Sequence, residues 1–241
     1  EDANNALSEA KKNIFKGLYG VELEMSDERL NIVFNPNESL LSENTYVIFD
    51  TETTGFNPGL SDQMIEIGAV KMKDGIVIDT YDELINPGKP LRKVITRLTG
   101  ITDAMLSDKD NEENATKRFK EWIGDLPLVA HNAKFDKNML ESAYQKYNLG
   151  TLDNPIIDTM IISQVINPLY KNHKLSTLAK NYGIDFEEND EEDTTTQRHH
   201  HRGDYDAENT GYIFMKMLQE LDKKGVKTLN DLYNLPNEEE H

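Results

Sequence analysis

Three strand-like segments follow one another between residues 45 and 84 with no helix among them, and this succession restricts the fold more than any other feature. Thr45-Tyr46-Val47-Ile48-Phe49-Asp50 is β-branched and aromatic, the composition of a buried strand, and Thr53-Thr54-Gly55 stops it. Met64–Lys73 and Ile76–Leu84 supply two more, and Asp74-Gly75 between them suits the positive φ angles of a tight hairpin. Beyond residue 84 the period changes. Helical spacing predicts helices over 91–98 and 114–123, with Phe119, Trp122 and Ile123 on one face. Residues 127–130 read as a short buried strand leading into a helix through Tyr147. A fifth strand over 155–158 precedes helices near 159–166 and 175–182, and a long helix over about 205–224. The pattern predicts an α/β protein: a mixed five-stranded sheet, three antiparallel-connected strands and then parallel ones, flanked by helices.

Residues 1–43 read differently. A short amphipathic helix over 6–15 and strands over 20–24 and 31–34 are too little to bury a core alone, so this piece packs on the rest, on a partner or on sequence outside it. The 241 residues have room for one full core. The absence of cysteine excludes disulfide partners, a thiolate metal site and a Cys nucleophile. No apolar run approaches the ~20 residues that span a bilayer, which argues against a membrane partner. Glu1-Asp2-Ala3-Asn4-Asn5 is neither basic nor apolar, so no secretion signal is visible, and a first residue other than Met suggests an excerpt of a longer chain. The expectation is a soluble, cytoplasmic protein. The net charge of −18 argues against a polyphosphate partner at first sight, but carboxylates that hold cations count in it as bare negatives. Part of the excess also lies in the run 187–193, where a solvated loop is the ordinary outcome.

Three short stretches carry chemistry. In Asp50-Thr51-Glu52 the two carboxylates project from the same side of a strand, at the C-terminal end where open α/β sheets place ligands. The string alone means little, since Asp-x-Glu recurs at Asp110, Asp185, Asp190 and Asp206, but only here does it end a buried strand. In His131-Asn132-Ala133-Lys134-Phe135-Asp136 a strand runs out and a helix begins near Asp136, whose carboxylate is either a cap or a ligand on the same edge. In His199-His200-His201-Arg202-Gly203-Asp204-Tyr205-Asp206 the last aspartate leads the long helix, beside the apolar stripe Ala207, Gly211, Phe214, Leu218 and Leu221. Together these supply four carboxylates and a histidine. Such an oxygen-rich set suits Mg²⁺ or Mn²⁺ rather than zinc, and with an imidazole base it fits phosphodiester hydrolysis by two ions roughly 4 Å apart.

These residues resemble the DEDDh family of 3′–5′ exonucleases, the group that contains the epsilon proofreading subunit of bacterial replicases. The matching pieces are 49–56, 64–70, 98–102, 129–136 and His201 to Asp206, and the resemblance covers 45 to about 225. It implies an RNase H-like fold, two metal ions held by Asp50, Glu52, Asp136 and Asp206, and His201 as general base. His201 is chosen over His199 and His200 by its spacing to Asp206. The resemblance also implies that Thr53, Thr54, Phe56, Thr99, Asn132 and Phe135 hold the terminal nucleotide of a single-stranded or frayed DNA 3′ end. A narrower likeness is to proofreading domains carried inside Gram-positive replicative polymerases. On it, 1–43 is a fragment of a split PHP domain, 44–226 the exonuclease domain and 227–241 a tail, with a polymerase module in the same or an associated chain. The segment 187–198 departs from the family by being longer and more acidic.

Two other readings stay open: an exoribonuclease with the same metal cluster, and a non-catalytic nucleic-acid-binding domain of this fold. Glu66 is expected to hydrogen-bond structurally and Asp158 to support the ligands. Arg92, Lys93, Arg97, Lys134, Lys171 and Lys174 are candidate phosphate contacts on a surface where lysines are normally solubilisers.

Overall fold

The computed structural model describes residues 30–59, 61–185 and 203–237. Its centre is one mixed sheet of strands β1 (Val33–Phe34), β2 (Tyr46–Thr53), β3 (Met64–Lys73), β4 (Ile76–Leu84), β5 (Leu128–Ala130) and β6 (Ile156–Asp158), in the spatial order β1-β6-β5-β2-β3-β4. β2, β3 and β4 are antiparallel neighbours, whereas β2-β5 and β5-β6 are parallel. The mixed topology is as expected, but the sheet has six strands rather than five. The addition is β1, which pairs antiparallel with β6 through Val33↔Ile157 and Phe34↔Ile156. Ile32 and Val33 are fully buried there, so their apolar area and the unpaired edge of β6 are satisfied together.

Helices cover both faces. On one lie α3 (Glu112–Ile123) and α4 (Ala133–Lys146), whose Phe119, Ile123, Met139, Leu140 and Tyr144 pack on Val47 and Phe49 of β2. On the other lie α5 (Thr159–Ile166), α6 (Leu175–Tyr182) and α7 (Gly203–Lys223), whose Ile213, Phe214, Met217 and Leu221 pack on Tyr46, Ile48 and Met72. Short helices α1 (Lys93–Thr99) and α2 (Asp103–Leu106) close one end. Residues 229–237, expected as a tail, form α8 (Leu229–Asn234) and a 3₁₀ turn; Thr228 and Asp231 build a capping box, and Leu229 and Leu232 are fully buried. This end meets the N-terminal side directly: Leu41 N–H donates to Lys227 C=O at 2.8 Å and Leu229 N–H to Ser39 C=O at 3.1 Å.

α7 reaches the sheet because two glycines meet. A Cβ on Gly68 of β3 would lie 2.0 Å from the carbonyl carbon of Gly203, so any side chain there pushes the start of the helix away.

Candidate active site

Alternation along β2 sends Val47, Phe49 and Thr51 toward α3 and α4, and Ile48, Asp50 and Glu52 toward α7. Glu52 stands directly across from Glu66 of β3, and Asp50 across from Gly68, with Asp82 of β4 next in the same row. Two like charges opposed on one face of a ladder repel. Asp206, in the first turn of α7, is brought over this face by the Gly68–Gly203 approach. Asp136 comes from the other layer, in the first turn of α4, and is 3% exposed. Its Oδ1 accepts from Thr51 N–H at 3.0 Å and Thr51 Oγ1–H at 2.6 Å.

The electrostatics show how close these groups are. The Asp50 carboxyl is held well above the usual carboxylate range by desolvation first, then by repulsion from Asp136, Glu52, Asp206 and Glu66. Burial pushes Asp136 up to about 7, against the pull of its hydrogen bonds from Thr51. Glu66 rises to about 8 through burial, then Asp82 and Glu52, with the Gly203 N–H opposing. Its Oε2 is buried and has no hydrogen-bond partner among the described residues. Asp50, Asp136 and Glu66, each with raised affinity for a proton and with Glu52 and Asp206 beside them, are an arrangement that divalent cations satisfy, and a donor set of hard oxygens suits Mg²⁺ or Mn²⁺. Among the described residues no three acidic side chains stand already in coordinating geometry. His201, with His199, His200 and the acidic run at 187–193, lies outside the described residues.

The residues expected around a terminal nucleotide divide into two groups. Phe56 is 75% exposed, with its ring centroid 6.0 Å from that of half-buried Phe135, so the two offer an open aromatic face beside Asp136. Asn132 is also exposed, in left-handed conformation at φ 66° just before α4. The three threonines are buried with their hydroxyls engaged. Thr53 donates to Gly55 C=O, Thr54 to Asp62, and Thr99 to Ile95 C=O while accepting from Ile101 N–H. Arg92 bonds Thr54 C=O at 2.6 Å, pinning the glycine turn from within.

Asp136 was expected at the start of its helix, but α4 begins three residues earlier, at Ala133. Asp158 explains the shift: its Oδ1 accepts from Asn132 N–H as well as from Met160 and Ile161 N–H, holding the left-handed turn that starts α4 early. Two contributors were not singled out from the sequence. Thr51 orients Asp136, and its position between two acidic residues was the available signal. His131 bonds Thr159 Oγ1 through Nδ1 at 2.9 Å and also bonds the backbone of His173, tying β5 to the loop before α6.

Comparison with known proteins agrees with this geometry. The RNase_T family model, described as an exonuclease, matches residues 47–214. DNA polymerase III PolC-type of Staphylococcus haemolyticus is 41% identical over 231 residues, and that of Bacillus subtilis 41% over 229. These alignments take in 96% and 95% of this chain but only 15% of the length of either relative. Among solved structures, exonuclease X in complex with 5′ overhanging duplex DNA superposes with a TM-score of 0.59 at 24% identity, over 79% of this chain and 99% of that one. The nuclease domain of 3′hExo, a DEDDh family member bound to rAMP, does so at 0.58 and 20% identity, over 76% and 95%. Both share the RNase H-like fold. The acidic residues of β2 and the two helix-borne aspartates all fall within the matched span 47–214, and the chain belongs to the RNase_T exonuclease family.

Proposed function

We propose that this domain is a divalent-metal-dependent 3′–5′ exonuclease that hydrolyses the terminal phosphodiester of DNA to nucleoside 5′-monophosphates, proofreading for a replicative polymerase. The observation that carries the reading is the position of Asp50, in the C-terminal half of β2 and under the charge of four other carboxyl groups, one on the same strand and three from further elements. Asp50, Glu52, Asp136 and Asp206 would hold two Mg²⁺ or Mn²⁺ ions. Bound there, the ions supply the Lewis acidity that acidifies the attacking water and steadies charge on the departing 3′ oxygen. Thr51 fixes the rotamer of Asp136. Phe56 and Phe135 stack on the terminal base, and Asn132 presents its amide beside them, while Thr53 and Thr54 shape the glycine turn through their hydroxyls and Thr99 braces the end of α1. His201, five residues before Asp206, takes the proton of the water, a task suited to an imidazole near neutral pH.

The similarity to PolC-type polymerases supports a polymerase module in the same or an associated chain and a cytoplasmic setting. No helix among the described residues is long and apolar enough to cross a membrane.

The test is gel-resolved digestion of 5′-labelled DNA carrying a 3′ mispair. Shortening from the 3′ end, abolished by EDTA and by Asp50→Ala, is the expected result. Near-normal activity of Asp50→Ala at saturating Mg²⁺ would falsify the assignment. A matched RNA oligonucleotide in parallel decides substrate class, because tolerance of the 2′-OH separates an exoribonuclease.

A further inference from the structure

Beside the acidic centre lies an open groove of about 500 Å³, lined by His131, Gln164, Asn172, His173, Lys174 and two apolar side chains. Its volume falls in the roughly 300–1,000 Å³ range of ligand sites. Its chemistry differs from the rest of the molecule. Among the described residues no carboxylate lines it, and its one full charge there is the exposed Lys174. The remaining polar groups are amides and imidazoles, which donate to phosphate oxygens or face a sugar.

The walls are braced. His131 bonds Thr159 and the backbone of His173, and His173 Nδ1 lies 2.8 Å from Ser163 Oγ, with its ring stacked on Tyr170. Asn172 Oδ1 accepts from Lys174 N–H and Thr177 Oγ1–H, closing the loop on the start of α6. The loop that carries Lys174 is therefore fixed to α5 and to the end of β5. His131 follows β5 directly and precedes Asn132, the N-terminal boundary of α4, so the groove begins on the turn that leads into the helix carrying Asp136.

We infer that this groove is a subsite for the phosphodiester backbone of the nucleic-acid strand upstream of the terminal nucleotide, with Lys174 neutralising a phosphate and the Asn172 and Gln164 amides bordering its sugar. The inference deepens the nuclease reading and rests on it: the acidic centre holds the scissile nucleotide, and the adjoining carboxylate-free groove receives the phosphates that follow. It makes the strand's path asymmetric, over the β5-α5 side of the sheet rather than toward β4.

The experiment measures kcat/KM and its salt dependence on oligodeoxythymidylates of two to six nucleotides, in which each added residue brings one more upstream phosphate. Wild type is expected to gain with length. Lys174→Ala is expected to lose roughly three- to tenfold of that gain, Lys174→Glu more, and the slope of log KM against log salt for the hexamer should fall by about 0.7, one single-strand phosphate contact. Lys73→Ala, at the hairpin on the far side of the sheet, removes the same charge and should keep the wild-type gain and slope. Lys174 is exposed, so a thermal melt confirms that the variants fold. A Lys174→Ala enzyme with the full gain and slope overturns the inference, as does an equal loss in Lys73→Ala, which would mean a diffuse charge effect. A wild type that cleaves no length is a different result: it removes the nuclease reading and the subsite with it.

Discussion

At Thr51 a single side chain separates two roles of one strand. Asp50 and Glu52 face α7, while Thr51 faces the opposite layer and takes hold of Asp136, the one proposed ligand that arrives from that side. Thr51→Val keeps the shape and the backbone N–H bond but loses the 2.6 Å hydroxyl contact. Groups that orient a ligand typically carry about 10- to 100-fold in metal affinity or activity. Thr51→Val should therefore lower turnover by that order while changing stability by only about 1 kcal/mol, the net worth of one hydrogen bond. Steady-state kinetics beside a denaturant titration separate the two; a loss of stability matching the loss of activity would make Thr51 structural instead. His131 has the opposite sign of charge sensitivity. Burial holds its pKa down at about 4, so the folded protein keeps it neutral while the unfolded chain protonates it near 6.5. Stability from this residue is intact above about 6.5 and lost as pH falls toward 4. His131→Gln removes this contribution, so the decline of stability with rising pH that the raised carboxyl groups impose should be steeper between about pH 4 and 6.5 than in the wild type.

The element that assembles the centre is α7, and its seat is the Gly68–Gly203 contact. Gly68→Ala places a methyl 2.0 Å from a backbone carbon, so the helix start must shift. Overpacking of this kind costs about 1–3 kcal/mol, and because Asp206 travels with the helix, activity should fall further than stability does. A Gly68→Ala protein with normal Mn²⁺-dependent turnover would show that Asp206 needs no such seat. Much of this element layout is legible in the sequence. The ends of β3 and β4 follow from Asp74-Gly75, and α5 and α6 from their own apolar spacing, because local composition decides them. The strand at 31–34 is legible as well, yet its place in the sheet is not: β1 pairs with β6, more than 120 residues away, and no local pattern encodes that partner. The acidic residues are legible by type and order. Thr51 is not, since a threonine inside a strand is ordinary β composition and its contact is tertiary. The early start of α4 depends on Asp158, which lies 26 residues beyond the Asn132 N–H it holds.

Across the whole molecule the acidic centre makes stability respond to pH and to cations together. Asp50 lies well above its ordinary range, Asp136 near 7 and Glu66 near 8, so the folded state binds protons that the unfolded state has released above about pH 4. In EDTA, stability should decline as pH rises from about 5 to 8. Mn²⁺ should restore it, by about 2.7 kcal/mol at a hundred times its dissociation constant, and the increase in Tm should be larger at pH 8 than at pH 6. A Tm in EDTA that climbs over this range would contradict the charge arrangement. The pairing of residues 39–41 with 227–229 has a consequence of a mechanical kind. Residues 39–41 and 227–229, close to either end of the described body, are held together by a small clasp of backbone bonds, so a host polypeptide could carry this body with its two connections near one another. Tension along such a host would reach β1 and α8 first, because both lie outside the clasp on the terminal sides, and would strip them and bare the sheet edge at β6 before it loaded the clasp.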